Sequence, residues 1–324
     1  MAPHSDPSPS GGDAAHIRRV LQGLGLNRTP GWHFPAHYLG LYFSSLDEEQ
    51  AEVAMPLDTP GIDAQGQVVP AALAALADTA LTAALRGRNG NEVRLATVSM
   101  GLSFASLQVQ DTLRARGHCK FRVKDIAMPM AVTSLTVTSG EQVVCSGEAS
   151  IAVLDNRRGM APHPLSGARR FDEVEPLGLA ELTQAEQQVL DAARGASAAC
   201  RGGDRSFLEG FWGLVPTMVG EGTAECSMAC GMHVSNRVGD VQGGVLLGLT
   251  AHTSAAVLGD RWQLLDVAAQ FVAAGTGPRL HAKAQALRVG RNTGTVGCTV
   301  LDDAGRVVLR AQATLVRKLA SSHS

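Results

Sequence analysis

Two long apolar runs of helical character interrupt a chain otherwise written in strand-like alternation. Residues 70–86 are Ala and Leu nearly all round, which predicts a helix buried on every side rather than one lying on a surface. The run opens with Pro70, a residue suited to a first helical turn. A second run of the same kind covers 243–258. After the first helix, segments 98–104, 112–123, 131–138 and 143–154 carry the β-branched residues and alternation of strands. Residues 182–193 read as a short amphipathic helix started by Thr183. Residues 195–205 are small and polar and read as a linker.

The pattern repeats. Gly40 and Gly213, Ala51 and Ala224, and Pro70 and Gly243 each stand 173 residues apart. Beyond the helices the offset becomes 167, as for Phe104 and Phe271 or Leu113 and Leu280. The six missing residues fall at 87–92, whose Gly-Arg-Asn-Gly-Asn composition marks a surface turn. Both halves end in an apolar run after a glycine turn, at Gly140 and Gly305. Each half therefore reads as strand, loop, helix, then three or four strands. One helix held by a curved antiparallel sheet packs those parts most simply, giving an α+β fold. The expected organisation is a disordered tail (1–15), a first domain (16–160), a linker with a short helix (161–206) and a second domain (207–318).

Composition narrows the class. Of 324 residues, 45% are apolar and 18% charged, enough for a packed core in each half. The net charge of −2 argues against a nucleic-acid partner. No run is apolar enough for a membrane span, and the Ser/Pro/Gly-rich start reads as a tail rather than a signal peptide. A cytoplasmic protein is expected. Six scattered cysteines fit reduced thiols. Cys226, Cys230 and His233 are loosely metal-like in spacing, but a fourth ligand is missing and no metal is expected. Cys226 and Cys230 are expected to share the buried face of one strand.

The phrase Asn236-Arg-Val-Gly-Asp-Val-Gln-Gly-Gly244, followed at once by the second helix, resembles the phenylacetate-degradation-type branch of hotdog acyl-CoA thioesterases. Leu76-Ala77-Asp78 matches the helix part of the same motif. The resemblance implies two hotdog domains in tandem, no cofactor, and coenzyme A as part of the substrate. Neither half carries the whole motif. Where the family has Asn, His, Gly-Gly and an acid, the first half has Asp63, Val69, Pro70-Ala71 and Asp78. The second has Asn236, Gln242, Gly243-Gly244 and Ala251. In the homodimeric relatives each site straddles the subunit interface. By that likeness a single composite site would form here from Asp78 of one half and Asn236, Gln242, Gly243 and Gly244 of the other.

The chemistry of those residue types supports the reading. Gly243 and Gly244, at a helix start, offer free N–H groups and no Cβ to keep a thioester carbonyl away. Gly244 is the expected oxyanion donor, while Pro70 denies the other site one. Asp78 would act as base or nucleophile, oriented by Thr82 one turn on. Arg122, Lys124, Arg288 and Arg291 are candidates for the coenzyme A phosphates. His252 reads as structural or solvent-facing, and His233 as a candidate only if it reaches the cleft. An acyl-CoA thioesterase, assembling as a homodimer of the tandem chain, is the leading expectation. A non-catalytic acyl-thioester-binding or regulatory protein, and a hotdog hydratase or dehydratase, remain alternatives.

Overall fold

The computed structural model describes residues 11–63, 65–90, 93–123, 125–155, 173–200 and 206–319. Among the described residues twelve strands form one antiparallel sheet in the order β1-β2-β4-β5-β6-β3-β9-β12-β11-β10-β8-β7. The first six are β1 (Tyr42–Leu46), β2 (Gln50–Met55), β3 (Val93–Phe104), β4 (Leu113–Val123), β5 (Met130–Ser139) and β6 (Gln142–Asp155). The last six are β7 (Thr217–Gly220), β8 (Thr223–Ala229), β9 (Trp262–Phe271), β10 (Arg279–Val289), β11 (Thr293–Asp302) and β12 (Val307–Arg317). Read outward from the centre, the two halves present their strands in the same order. They meet where β3 pairs with β9, from Ser99↔Gln270 to Ser103↔Asp266.

Two buried helices lie on the sheet. Helix α3 (Pro70–Ala83) packs on the strands of the first half and α7 (Gly243–Leu258) on those of the second. They also pack on each other, and closely. A Cβ on Gly244 would strike the backbone of Ala74 and Ala75, and one on Gly248 would strike Ala71. Strands β4 and β11 alternate buried and exposed positions, the mark of a sheet with one covered face. The hairpin turns use Gly140 at φ 58° and Gly305 at φ 78°, conformations that favour glycine.

Some expected boundaries move. Residues 11–15, read as disordered tail, belong to α1 (Gly11–Asn27). The sequence signal was present, because Ile17, Val20 and Leu24 keep helical spacing, and Val20 and Leu24 are fully buried. The first buried helix stops at Ala83 rather than at 86, and a short α4 (Arg86–Asn89) occupies part of the expected surface turn. The linker helix runs further than 182–193, as α5 (Gln184–Cys200), consuming much of the expected linker. Its Glu186 is bound by Arg28 at 2.7 and 2.8 Å, which ties α5 to the end of α1 and holds that carboxyl down at about pKa 2. The turn-rich composition of residues 155–164 reads in the sequence as the exit from the last strand of the first half; beyond Asp155 it lies outside the described residues. Cys230 falls just past the end of β8 and is only half-buried, so it does not share the buried strand position of Cys226.

Helix α2 (Phe34–Leu39) and α6 (Phe207–Phe211) complete a helical layer with α1 and α5. Phe34, Tyr38, Phe207 and Phe211 stack within it at centroid distances of 5.1–6.1 Å. The segment before α2 is tied to the second half by Arg237, which donates to the carbonyls of Asn27, Thr29 and Gly31. No helix among the described residues is long and apolar enough to cross a membrane.

Candidate functional site

Asp78 is carried by the middle of α3, between strand β3 and the start of α7. It is 6% exposed. Two side chains hold its carboxylate from opposite halves of the sheet: Thr97 Oγ1 donates to Oδ1 at 2.8 Å and Gln242 Nε2 donates to Oδ2 at 2.6 Å. The Gly244 backbone N–H faces this carboxylate and also favours its charged form. Burial nevertheless wins. It lifts the Asp78 pKa to about 6, against the downward pull of Thr97 and Gly244.

Gln242 serves two structures at once. Its Oε1 caps α7 by accepting from Val245 N at 2.9 Å, which leaves its Nε2 for Asp78. Gly243 lies alongside, and a Cβ there would stand 3.1 Å from both Asp78 carboxylate oxygens. Glycine at 243 therefore keeps the carboxylate's surroundings open, whereas glycine at 244 is required by helix packing. Among the described residues the Gly243 N–H carries no hydrogen bond.

Three expected roles change. The Gly244 N–H, expected at the oxyanion, faces the Asp78 carboxylate instead. Thr82 does not orient the carboxylate: its hydroxyl bonds back to the carbonyls of Asp78 and Thr79 at 2.9 and 3.0 Å, as helical threonines tend to do. Thr97 takes that place, and the sequence reading missed it. Asn236 spends its Oδ1 on its own turn, accepting from Val238 N and Asp240 N at 2.9 and 3.2 Å. Asp63 does the same in the first half, accepting from Gln65 N and Gln67 N. A role shared by both halves is a turn role, although Asn236 also borders the cavity described next.

A cavity of about 540 Å³ opens beside Asp78, a usual size for a small-molecule site. Asp78, Thr97, Gln242 and Gly243 lie at its polar part, and Trp32, Phe43, Leu246 and Phe271 supply apolar wall. Trp32 leans on Phe43 at a centroid distance of 4.6 Å. The arginines that line the cavity are Arg86, Arg94 and Arg237. None of the expected phosphate ligands that the structure describes is there. Arg122 reaches toward Asn89 and Glu49, and Arg288 and Arg291 are exposed around the β10–β11 turn. Lys124 lies outside the described residues. His233 is buried against Phe211 and borders no part of the cavity, and burial drops its pKa to about 4. His252 is not solvent-facing but pairs with Glu209 at 3.3 Å.

The three positions equivalent to the carboxylate and its two side-chain donors are apolar in the other half. Asp78, Gln242 and Thr97 answer to Ala251, Val69 and Leu264. The last match is fixed by a register shift that falls beside Thr97 in β3 and beside Leu264 in β9.

No family model and no curated protein matches the chain by sequence. Solved structures resemble it in fold. A conserved hotdog-fold protein of unknown function from Alicyclobacillus acidocaldarius aligns with TM-score 0.54 and 11% identity, covering 89% of this chain and 99% of its own. A candidate thioesterase II from Thermobifida fusca aligns with TM-score 0.53 and 12% identity, covering 90% and 99%. A candidate thioesterase from Novosphingobium aromaticivorans aligns with TM-score 0.52 and 15% identity, covering 86% and 99%. At these identities the likeness is one of architecture, and the chain has the hotdog fold.

Proposed function

We propose that this chain is an acyl-CoA thioesterase, built as two hotdog domains in tandem, with one working site where they meet. The observation that carries the reading is Asp78 itself: a buried carboxylate, held by Thr97 and by Gln242 of the opposite half, beside a cavity and a helix start. Isolated buried carboxylates are costly. This one is retained where its pseudo-equivalent has become Ala251 among apolar neighbours. The thioesterase descriptions of two structural neighbours point the same way.

In this reading the thioester carbon lies near Asp78, with its acyl chain against Trp32, Phe43 and Phe271. The ionised carboxylate takes a proton from water as the water oxygen bonds to the carbonyl carbon. The Gly243 N–H, at the positive end of α7, receives the developing oxyanion. Collapse breaks the C–S bond, and the proton on Asp78 passes to the departing thiolate, giving acid and thiol. Thr97 and Gln242 hold the carboxylate in place during the exchange. Hydrolysis of a panel of acyl-CoAs, followed by thiol release, tests the proposal. Turnover of none of them, with tight binding of one, would replace it by a thioester-binding protein. Loss of enoyl-CoA absorbance without thiol release would replace it by a hydratase.

A further inference from the structure

One end of the second half carries charge without compensation. The end of β10, the β10–β11 turn, the end of β12 and the start of β9 lie side by side there. Val289 pairs with Gly294, Thr293 with Val316 and Arg317 with Trp262. Backbone bonds from Arg317 N to the Asn292 carbonyl and from Lys318 N to the Arg261 carbonyl complete the row. On it stand Arg261, Arg288, Arg291, Arg317 and Lys318, all exposed. Among the described residues none of the five makes an ion pair. The acids nearby are Asp260 and Glu221, the latter in the β7–β8 turn, whose Gly222 carbonyl accepts from Ala286 N. Five cations against two acids is a local excess in a chain whose net charge is −2.

The same end exposes apolar side chains. Leu287 is 61% exposed, Val289 56%, Val219 57% and Leu319 94%. A single exposed leucine needs no explanation, but these are interleaved with the cations, as Leu287-Arg288-Val289 and Lys318-Leu319. The repeat supplies a control. Strands β4 and β10 share a register shift, beside Cys119 and Phe121 in one and Ala286 and Arg288 in the other, 167 residues apart. That match sets Lys120 and Arg122 opposite Leu287 and Val289. In the first half both cations face acids, Lys120 with Glu148 at 2.6 Å and Arg122 with Glu49 at 3.9 Å. The second half carries apolar residues at both positions and sets unpaired cations beside them.

We infer that this end of the second half rests on an anionic lipid bilayer, with Leu287 and Val289 entering the headgroup boundary and the five cations meeting the headgroups. Aliphatic side chains gain by leaving water at that boundary, and cations gain from its negative potential. A nucleic acid would use the cations and leave the aliphatic side chains in water. The cavity is remote. Phe271 lines it, and Trp262, at this end, is nine residues back along β9, about 30 Å in an extended strand. The bilayer contact therefore leaves the cavity uncovered, and it does not depend on the hydrolase reading.

The test is co-sedimentation of the full chain with two kinds of vesicle, phosphatidylcholine alone and phosphatidylcholine mixed with phosphatidylserine. Wild type should bind the mixed vesicles and not the neutral ones, and added salt should weaken the binding. Each basic residue near an anionic surface strengthens binding about fivefold, so Arg288→Gln with Arg291→Gln should weaken it about twentyfold. Leu287→Ser with Val289→Ser should weaken it while keeping the salt dependence. All four side chains are exposed, so both double variants should keep the wild-type melting curve. Arg310→Gln, which removes an exposed arginine nearer the other end of β12, should bind as wild type does. Equal binding of neutral and mixed vesicles, or insensitivity to either double variant, overturns the inference. Binding of a polyuridylate strand but of no vesicle would assign the cations to nucleic acid and overturn it too. No turnover is read, so either result leaves the hydrolase reading to its own test.

Discussion

Gln242 Nε2 stands 2.6 Å from Asp78 Oδ2, although 164 residues of chain separate the two. The amide cannot turn over without loss. Its Oε1 is committed to Val245 N at the start of α7, and a flip would set oxygen against carboxylate and N–H against N–H. The helix start of one half therefore fixes the orientation of the carboxylate of the other. Gln242→Leu should release both, lowering thermal stability by about 1 kcal/mol for the lost cap and lowering kcat more than it raises KM. A kinetic defect confined to KM would show that Gln242 binds substrate rather than positioning Asp78.

Asp78→Asn should lower kcat by on the order of 10²–10⁴ with KM changed little, the usual cost of removing a positioned base. The fold should persist, because the amide fills the same space. Steady-state kinetics on the best acyl-CoA substrate, paired with a circular dichroism spectrum, decide it. A variant that hydrolyses at the wild-type rate removes Asp78 from the mechanism.

Burial sets the pH behaviour of this group. With its pKa at about 6, Asp78 is mostly ionised at neutral pH, and activity should rise with pH through about 6 and then level. Thr97→Val removes a donor that favours the charged form, so the ascending limb should move to higher pH. Stability has the opposite sign. A folded pKa raised above the ordinary value of 3.8 favours the folded state fully below pH ~4, and that contribution is lost as pH rises through about 6. The shift corresponds to roughly 3 kcal/mol. Asp78→Asn should therefore gain stability relative to wild type between pH 4 and 7, in urea melts at several pH values. A difference that does not change with pH would mean the carboxyl is not the buried group described.

The parts of this architecture legible in the sequence are those with a period. The all-apolar helices, the strand alternation and the 173-residue register follow from burial, and burial is written residue by residue. Asp78 and Gln242 stood out because each is polar within an apolar run. Thr97 did not, since a threonine in a strand looks like any β-branched residue; only its approach to Asp78 across the sheet reveals it. The arginines were misjudged for a related reason. Arg122, Arg288 and Arg291 lie at matching strand ends and turns of the two halves, but repetition marks framework, and the cavity beside Asp78 is built on the parts in which the halves differ. Arg86 and Arg94 flank the six residues that break the repeat, and that break was the available signal.

The empty counterpart suggests a direct test of what the polar cluster is for. Converting Asp78→Ala, Thr97→Leu and Gln242→Val together copies Ala251, Leu264 and Val69 into the working site. Removing one partner of a buried polar set leaves the others unpaired, but replacing all of them with apolar groups is often neutral or stabilising. The triple variant should fold with an unchanged or higher Tm and show no thioester hydrolysis. Failure to melt cooperatively would make the cluster a requirement of packing.

Arg237 gives the last prediction. It projects from the second half's turn and bonds the carbonyls of Asn27, Thr29 and Gly31 at 2.9, 2.7 and 3.0 Å. Those carbonyls belong to the loop that carries Trp32 and His33 to the cavity. Lysine could not replace the fork, since one ammonium lacks the planar spread to reach three such acceptors in place. Arg237→Met should leave the carboxylate cluster intact, because it touches none of Asp78, Thr97 or Gln242. It should free residues 27–33, read as faster amide exchange there, at a cost of about 1–3 kcal/mol for carbonyls left without their donor. In the proposed reaction the wall formed by Trp32 and Phe43 would loosen. KM for acyl chains long enough to reach that wall should then rise several-fold while kcat for a short chain stays near wild type. Equal losses for short and long chains, with exchange in 27–33 unchanged, would show that Arg237 acts on the chemistry and not on the wall.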